Sequence, residues 1–229
     1  MTTNQVACIG QYQACALRVA RLGATCVPSG ASGDVVVTGA LVSLTMTPEV
    51  EQGTRYEPKT GCGKVAYTAE SEDIIKRYNL DLQLVLFDLE LVEIATGSPL
   101  LVGDTGTTWP NKVIGYESRG PNADPYNGCS LEIFTRTSKS GGPCGSVGSN
   151  PQFARHIFPR CKFHIAERTF EDAAAILRLQ GWSTANSAWG EGPVPAEWEA
   201  DAPLSDDAPY AMVLATELPT TGCGLVSAT

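Results

Sequence analysis

The chain has 229 residues and a hydrophobic content of 43%, which is enough for one large all-β domain or two small ones. Its net charge of −9 argues against a sequence-independent grip on nucleic acid phosphates. Eight cysteines are too few for a disulfide scaffold, and no apolar run approaches the roughly 20 residues of a membrane-spanning helix. The start, MTTNQVACIG, shows no secretory signal, so we expect synthesis in a cytosol with reduced thiols.

The first third of the chain predicts strands separated by turns, in keeping with 23 glycines and 15 prolines. Residues 14–22 and 35–46 alternate as strands do. Residues 48–60 mix charges with Pro and Gly, and they predict a loop or a long exposed hairpin arm. Residues 61–67 are a candidate returning strand, and we interpret residues 70–77 as a single helical turn.

The stretch from residue 78 to residue 99 has the most informative pattern. Leu80, Leu82, Leu84 and Leu86 alternate with polar residues, which predicts a strand with all four leucines on one apolar face. A short helix of about two to three turns should follow. Its signals are an acidic cap, an acidic first turn, apolar positions at helical spacing and a Gly–Pro stop: Asp88, Glu90, Leu91, Val92, Ala95, Gly97 and Pro99.

The remaining chain continues as short strands between turns. Predicted strands lie at 112–117, 129–136, 158–168 and 210–215, while 171–180 suits either a helix or a strand, and 183–209 is a long acidic loop. The sequence therefore predicts a mostly β fold, a β-sandwich or barrel with one short flanking α-helix. Nothing marks a linker, so residues 1–229 are expected to form a single domain.

Few residues have the spacing that catalysis or metal binding requires. His156 and His164 are the only histidines, and on one extended strand they would lie about 26 Å apart. No C-x-x-C occurs, so we expect no metal site. Cys144, in GGPCGSVG, lacks the frame of a phosphate loop or a nucleophile elbow. We therefore expect no enzyme, no catalytic residues and no cofactor.

Charge is distributed unevenly, with acids late in the chain and a basic strand before them. The acidic loop contains Glu197 and Glu199, whereas Arg160 and Lys162 lie on the strand. Either these are two solvated surfaces, or the acidic loop of one copy contacts the basic strand of another. The tryptophans near the acidic loop likewise suit the chain's own core or a neighbour's surface.

Several segments together resemble a known family, the major tail proteins (tail tube subunits) of long-tailed bacteriophages that infect actinobacteria. The segments are ALRVARL, VVVTGALVSLTMTPEVEQG, TGCGKVAY, KRYNLDLQLVLFDLELVEIATG, FARHIFPRCKF and APYAMVLATELPTTGCG. They follow in an order and spacing typical of such proteins, over most of the chain. The strand, acid-capped helix and TG ending are the most specific part of the resemblance.

The resemblance implies a tail tube fold, a β-sandwich flanked by a helix, that self-assembles as a homohexamer. Hexameric rings stack into the tail tube of the virion, which conducts double-stranded DNA to the host cell during genome ejection without binding it specifically. The partners would be the chain itself and other phage tail proteins, assembled in the host cytoplasm. Residues 49–60 match the position of a family loop that reaches a neighbouring subunit, which adds Glu49, Glu51, Arg55 and Tyr56 to the predicted interface.

Two other classes of function remain open from sequence. The first is another virion component, such as a connector, baseplate or capsid-decorating protein, which would differ in symmetry. The second is a soluble β-sandwich hydrolase or binding module, which would need a pocket with convergent polar groups.

Overall fold

Strands predominate in the structure. A computed structural model describes residues 9–29, 33–106, 108–123, 125–139, 153–166, 176–190, 192 and 204–219. This part of the chain contains many strands and one short helix, which confirms the predicted mostly β fold class.

The elements are named in chain order. They are β1 (Ile9–Arg21), β2 (Val35–Thr38), β3 (Leu41–Glu51), β4 (Arg55–Tyr56), β5 (Ala69–Glu70), β6 (Ile74–Leu84), α1 (Leu89–Thr96), β7 (Leu100–Val102), β8 (Val113–Tyr116), β9 (Cys129–Lys139), β10 (Phe153–Ile165), β11 (Leu177–Thr184) and β12 (Ala211–Ala215).

Eight of the strands form one antiparallel sheet in the order β2-β1-β9-β10-β11-β6-β3, with β12 also paired to β10. Two small hairpins, β4–β5 and β7–β8, lie outside this sheet. The sheet curls, because β1 approaches β3 although four strands lie between them in the sheet order. The concave side of the sheet therefore encloses the hydrophobic core.

One face of each main strand supplies the core. Its buried members include Leu17 and Val19 of β1, Leu82 and Leu84 of β6, and the apolar side of α1. β10 has a bulge between Phe158 and Cys161, where two residues of β10 lie opposite a single residue of β9. Even-numbered residues of β10 therefore face the core before the bulge, and odd-numbered residues face it afterwards.

Helix α1 has the predicted boundaries. The Asp88 Oδ1 accepts hydrogen bonds from the backbone N–H groups of Glu90 and Leu91, at 3.0 and 3.1 Å. Gly97 ends the helix in the left-handed conformation, and its N–H donates to the Glu93 carbonyl at 2.7 Å. A Cβ at Gly97 would lie 2.8 Å from the Tyr126 ring, so this position requires glycine.

Two expectations from sequence were wrong. Leu86 does not share the core face, because β6 ends at Leu84 and Leu86 is 54% exposed. Residues 70–77 do not form a helical turn; they contribute to β5 and β6. In the ambiguous segment 171–180, the described part from Leu177 is a strand.

Candidate functional site

The most unusual feature of the surface is a long hairpin arm, residues 50–75. It continues from β3 and β6 through β4 and β5 to a bridge between Lys59 and Val65, and it turns at residues 61–63. Almost every residue of the arm is exposed. This arrangement resolves the two alternatives for residues 48–60, which form the outgoing side of a hairpin.

The arm exposes large apolar side chains. Six of them are 45–59% exposed: Val50, Tyr56, Val65, Tyr67, Ile74 and Ile75. The rings of Tyr56 and Tyr67 lie 6.2 Å apart, so the two side chains form one aromatic surface. Contiguous exposed apolar surface on a protein marks an interaction site more often than chance allows.

Polar contacts at the base of the arm and within it join its two strands. Near its base, Arg77 pairs with Glu49 at 2.6 Å and Lys76 with Glu51 at 2.9 Å. Farther out, the Gly53 N–H donates to Asp73 Oδ1 at 2.7 Å. The arm is therefore a structured hairpin and not an irregular loop.

The predicted interface residues on the arm differ in what they contact. Glu49 and Glu51 form the ion pairs at the base, and Arg55 pairs with Glu57 at 2.5 Å. Tyr56 exposes its ring to solvent. Of these four residues, Tyr56 offers the most apolar surface to a partner, and the three charged residues form exposed ion pairs.

A second apolar surface lies at the other end of β6, and we call it the far-end surface. It consists of the segment after β6 and the hairpin β7–β8 with its turn, and its side chains are 38–63% exposed: Val85, Leu86, Phe87, Leu101, Val102, Trp109 and Ile114. The Phe87 and Tyr116 rings, 5.7 Å apart, connect the two parts. Sequence reasoning missed this surface, although the unbroken apolar run after Leu84 is a signal for it.

Arg160 and Lys162, also predicted as interface residues, lie on the outer face of β10. The Arg160 Nε donates to the Asn127 carbonyl at 3.3 Å, and Lys162 is half-buried opposite Trp182 of β11. Glu197 and Glu199 lie outside the described residues, as does most of the predicted acidic loop. The predicted contact between the acidic loop and the basic strand therefore remains a prediction.

The outer face of β10, β11, β6 and β3 is polar, and it contains two ion pairs besides the basic residues Arg160 and Lys162. Arg178 binds Asp81 on the neighbouring strand, and this hydrogen bond lowers the pKa of the Asp81 carboxyl. Arg77, already paired with Glu49, also lies over the Trp182 ring at 5.8 Å from its centroid. Among the described residues, Arg160 and Lys162 form no ion pair, so this face has more basic than acidic side chains.

His156 lies in a polar cluster on the core side of β10. One ring nitrogen, Nδ1, lies 2.8 Å from the Tyr210 hydroxyl, and the other, Nε2, lies 2.9 Å from Gln11 Oε1. Burial lowers the pKa of His156. The cluster connects β1, β10 and the start of β12, and we assign it a structural role.

Two cysteines lie opposite each other in the core, Cys129 of β9 and Cys161 of β10. Burial raises the pKa of Cys129 to about 12 and that of Cys161 well above its ordinary value. Both are therefore protonated thiols at neutral pH, and they act as small apolar residues in the core.

Among the residues that the structure describes, no group of three His, Cys, Asp or Glu side chains could hold a metal ion. The same part of the chain contains no helix of the length and hydropathy needed to cross a membrane. Comparison with the models of known protein families finds no match, and comparison with curated protein sequences finds none either.

Proposed function

We propose that the chain is a structural subunit that self-assembles into the tail tube of a long-tailed bacteriophage. The observation that carries the proposal is the exposed hairpin arm with its six apolar side chains. These tyrosine, valine and isoleucine side chains are 45–59% exposed, so they contribute little to the core of a single copy. In an oligomer the arm buries this surface against a neighbouring subunit, at about 25 cal/mol for each Å² of apolar area.

An open edge of the sheet supports assembly in a second way. β3 lies at the end of the strand order and, within the described residues, pairs only with β6. An unpaired edge of eleven residues is a ready template for a strand from another copy. Continuation of the sheet from subunit to subunit would produce the ring that the resemblance implies.

The polar outer face supports the role as a conduit. In a closed ring, one face of the continuous sheet must line the channel. The outer face of β10, β11, β6 and β3 is the candidate for this position, because its side chains are polar and Arg178 and Arg77 pair with Asp81 and Glu49. Arg160 and Lys162 add two positive charges to the same face. Passage of DNA without binding therefore requires acidic residues elsewhere in the assembly to balance them.

Negative-stain electron microscopy of the purified protein, with its mass measured by light scattering, tests the proposal. Rings or hollow tubes with sixfold symmetry are the expected result. Closed assemblies of another symmetry would instead favour a connector, baseplate or decoration protein of the virion. A monomer at the highest soluble concentration would contradict the proposal and favour a soluble binding module or hydrolase.

A further inference from the structure

The arm and the far-end surface lie at opposite ends of the same strand. Ile74 begins β6 at the base of the arm, and Val85 follows its last residue at the other end. The strand has eleven residues, and at about 3.3 Å per residue it separates the two surfaces by about 35 Å. An arm that projects away from the far-end surface cannot contact it within one copy.

The two surfaces have opposite charge. The outer half of the arm, residues 54–67, contains three basic residues against one acidic residue. Residues 85–117, which include the far-end surface, contain five acidic residues against one basic residue, and two of these acids are engaged in α1, where Asp88 caps the helix and Glu93 pairs with Arg21. In a chain with a net charge of −9, the outer arm is one of the few positively charged segments.

The exposed charged side chains of the two surfaces also differ in sign. Lys59 and Lys64 flank the turn of the arm, and both are exposed. Asp104, in the turn between β7 and β8, and Glu117, directly after β8, are exposed as well. With Lys112 also exposed in the β7–β8 turn and Glu57 in the arm, each surface combines apolar side chains with an excess of one sign of charge, and the two signs are complementary.

Charge limits how two copies can associate. A two-fold dimer that pairs like surfaces would bring charges of the same sign together, whereas a reciprocal two-fold dimer would place each arm on the far end of the other copy. A head-to-tail contact also places the basic arm of one copy on the acidic far end of the next. It leaves one unused surface at each end and can repeat, as the proposed tube requires, while the reciprocal dimer stops at two copies.

We propose that the outer arm of one copy, residues 54–67, docks on the far-end surface of the next copy in a head-to-tail stack. Tyr56, Val65 and Tyr67 pack against the apolar side chains of the far-end surface. Lys59 and Lys64 lie near its acidic residues. The inference deepens the proposed function, because it names the surface that receives the arm, but it can fail while the tail tube proposal survives.

A disulfide cross-link tests the contact directly, because Cys62 lies exposed in the turn of the arm. We would combine it with Ile114→Cys on the far-end surface, in a background where serine replaces Cys8, Cys15, Cys26, Cys144 and Cys223 and only the buried Cys129 and Cys161 are kept. The oxidant is copper phenanthroline, which accepts the two electrons released by each pair of thiols. A ladder of covalent oligomers on a non-reducing gel is the expected result, since each copy has one donor and one acceptor. Dimers alone would contradict head-to-tail docking.

Two controls separate this contact from random oxidation. Cys62→Ser in the Ile114→Cys background should abolish the ladder, because it removes the thiol of the arm. Thr45→Cys, at an exposed position on the polar face of β3, should give no ladder with Cys62. A ladder as strong with Thr45→Cys would show that the arm has no preferred receiving surface.

Charge reversal provides an independent test. Lys59→Glu with Lys64→Glu should reduce the ladder at least tenfold, because it gives both surfaces the same sign. Adding Asp104→Lys with Glu117→Lys to that variant should restore it. A ladder that is insensitive to the first pair of substitutions would overturn the electrostatic part of the docking.

The results distinguish the inference from the proposed function. Sixfold tubes without a ladder from Ile114→Cys would contradict the docking and leave the tail tube proposal standing. A ladder without sixfold rings would support the docking and count against the tail tube. A protein that neither assembles nor cross-links would contradict both.

Discussion

Nε of Arg18 lies 2.7 Å from Oε2 of Glu132, its direct partner across β1 and β9, and both side chains are only 1% exposed. Arg155 of β10 binds the same carboxylate, with 2.9 Å between its NH2 group and Oε1. Two guanidinium groups thus share one buried carboxylate on the side of the sheet opposite the main core. Burial of three charges costs free energy, because each charge loses its hydration. The attraction between them offsets this cost only while all three charges are present.

Glu132→Gln should therefore lower the free energy of unfolding by about 3–5 kcal/mol, because it removes the buried negative charge that both guanidinium groups bind. Urea denaturation of wild type and variant measures the difference. Asp81→Asn is the matched control, since it breaks the exposed pair with Arg178 and should change the midpoint little. A Glu132→Gln protein as stable as wild type would show that the buried carboxylate does not hold the two arginines.

Leu84 and Leu86 provide a second test, because the alternating pattern assigned both to one apolar face. Leu84 is fully buried and Leu86 is 54% exposed. Leu84→Asp should prevent folding, since a buried carboxylate costs several kcal/mol, comparable with the total stability of about 5–15 kcal/mol of a typical domain. Leu86→Asp should fold with nearly unchanged stability. Thermal unfolding followed by circular dichroism measures the stability of both variants. A folded Leu84→Asp protein together with a destabilised Leu86→Asp protein would show that the end of β6 is misplaced.

These leucines show where sequence patterns stop being sufficient. Helix α1 was predictable because its caps are local: Asp88 bonds to amides two and three residues away, and Gly97 closes the last turn. The end of β6 is set by distant segments, since the Val85 N–H donates to the Ala40 carbonyl and β11 begins opposite Leu84. Alternation alone carries no information about where the partner strands end.

The candidate site shows the same limit. The arm was expected at residues 48–60, because Pro, Gly and charges mark an exposed segment. Its returning side at residues 70–77 was misread, since pairing with β3 across more than twenty residues decides its conformation. The two parts of the far-end surface are joined by the contact of Phe87 with Tyr116, which are far apart in sequence. In the same way, Arg155 is buried because it binds Glu132 on the neighbouring strand. Both are non-local and leave no periodic signal.

His156 should make folding stability depend on pH. Burial lowers its pKa in the folded protein, whereas the unfolded chain keeps the ordinary value of 6.5. The unfolded state therefore binds more protons below pH 6.5, and stability falls on acidification by at most about 1.4 kcal/mol per pH unit. At higher pH both states are neutral at this residue and its effect vanishes.

Urea denaturation between about pH 5.5 and 7.5, a window around the ordinary histidine value, measures this effect. His156→Gln should lose less stability on acidification than wild type, because the variant has no ring to protonate beside Tyr210 and Gln11. His164→Gln, on the exposed face of the same strand, is the control and should retain the wild-type profile. Equal profiles for wild type and His156→Gln would contradict the assignment of the pH dependence to this cluster.

Shortening the arm separates folding from assembly. Replacing residues 54–70 with an Asn-Gly turn keeps the pairing of Val50 with Ile75 and of Glu51 with Ile74, because the cut falls beyond that ladder. Deleting residues 49–60 alone would instead leave the start of β6 without its partner. The shortened protein should unfold at nearly the wild-type urea concentration, since the removed residues are exposed.

The same shortened protein should remain monomeric by light scattering and form no rings or tubes by electron microscopy, because it lacks Tyr56, Val65 and Tyr67. Cys62→Ser is the control for assembly, since it changes the turn of the arm and retains these apolar side chains. Tyr56→Ser with Tyr67→Ser should weaken assembly without affecting the fold, as both rings are more than half exposed. Normal tubes from the shortened protein would remove the arm from the assembly contacts and leave the open edge of β3 as the main candidate interface.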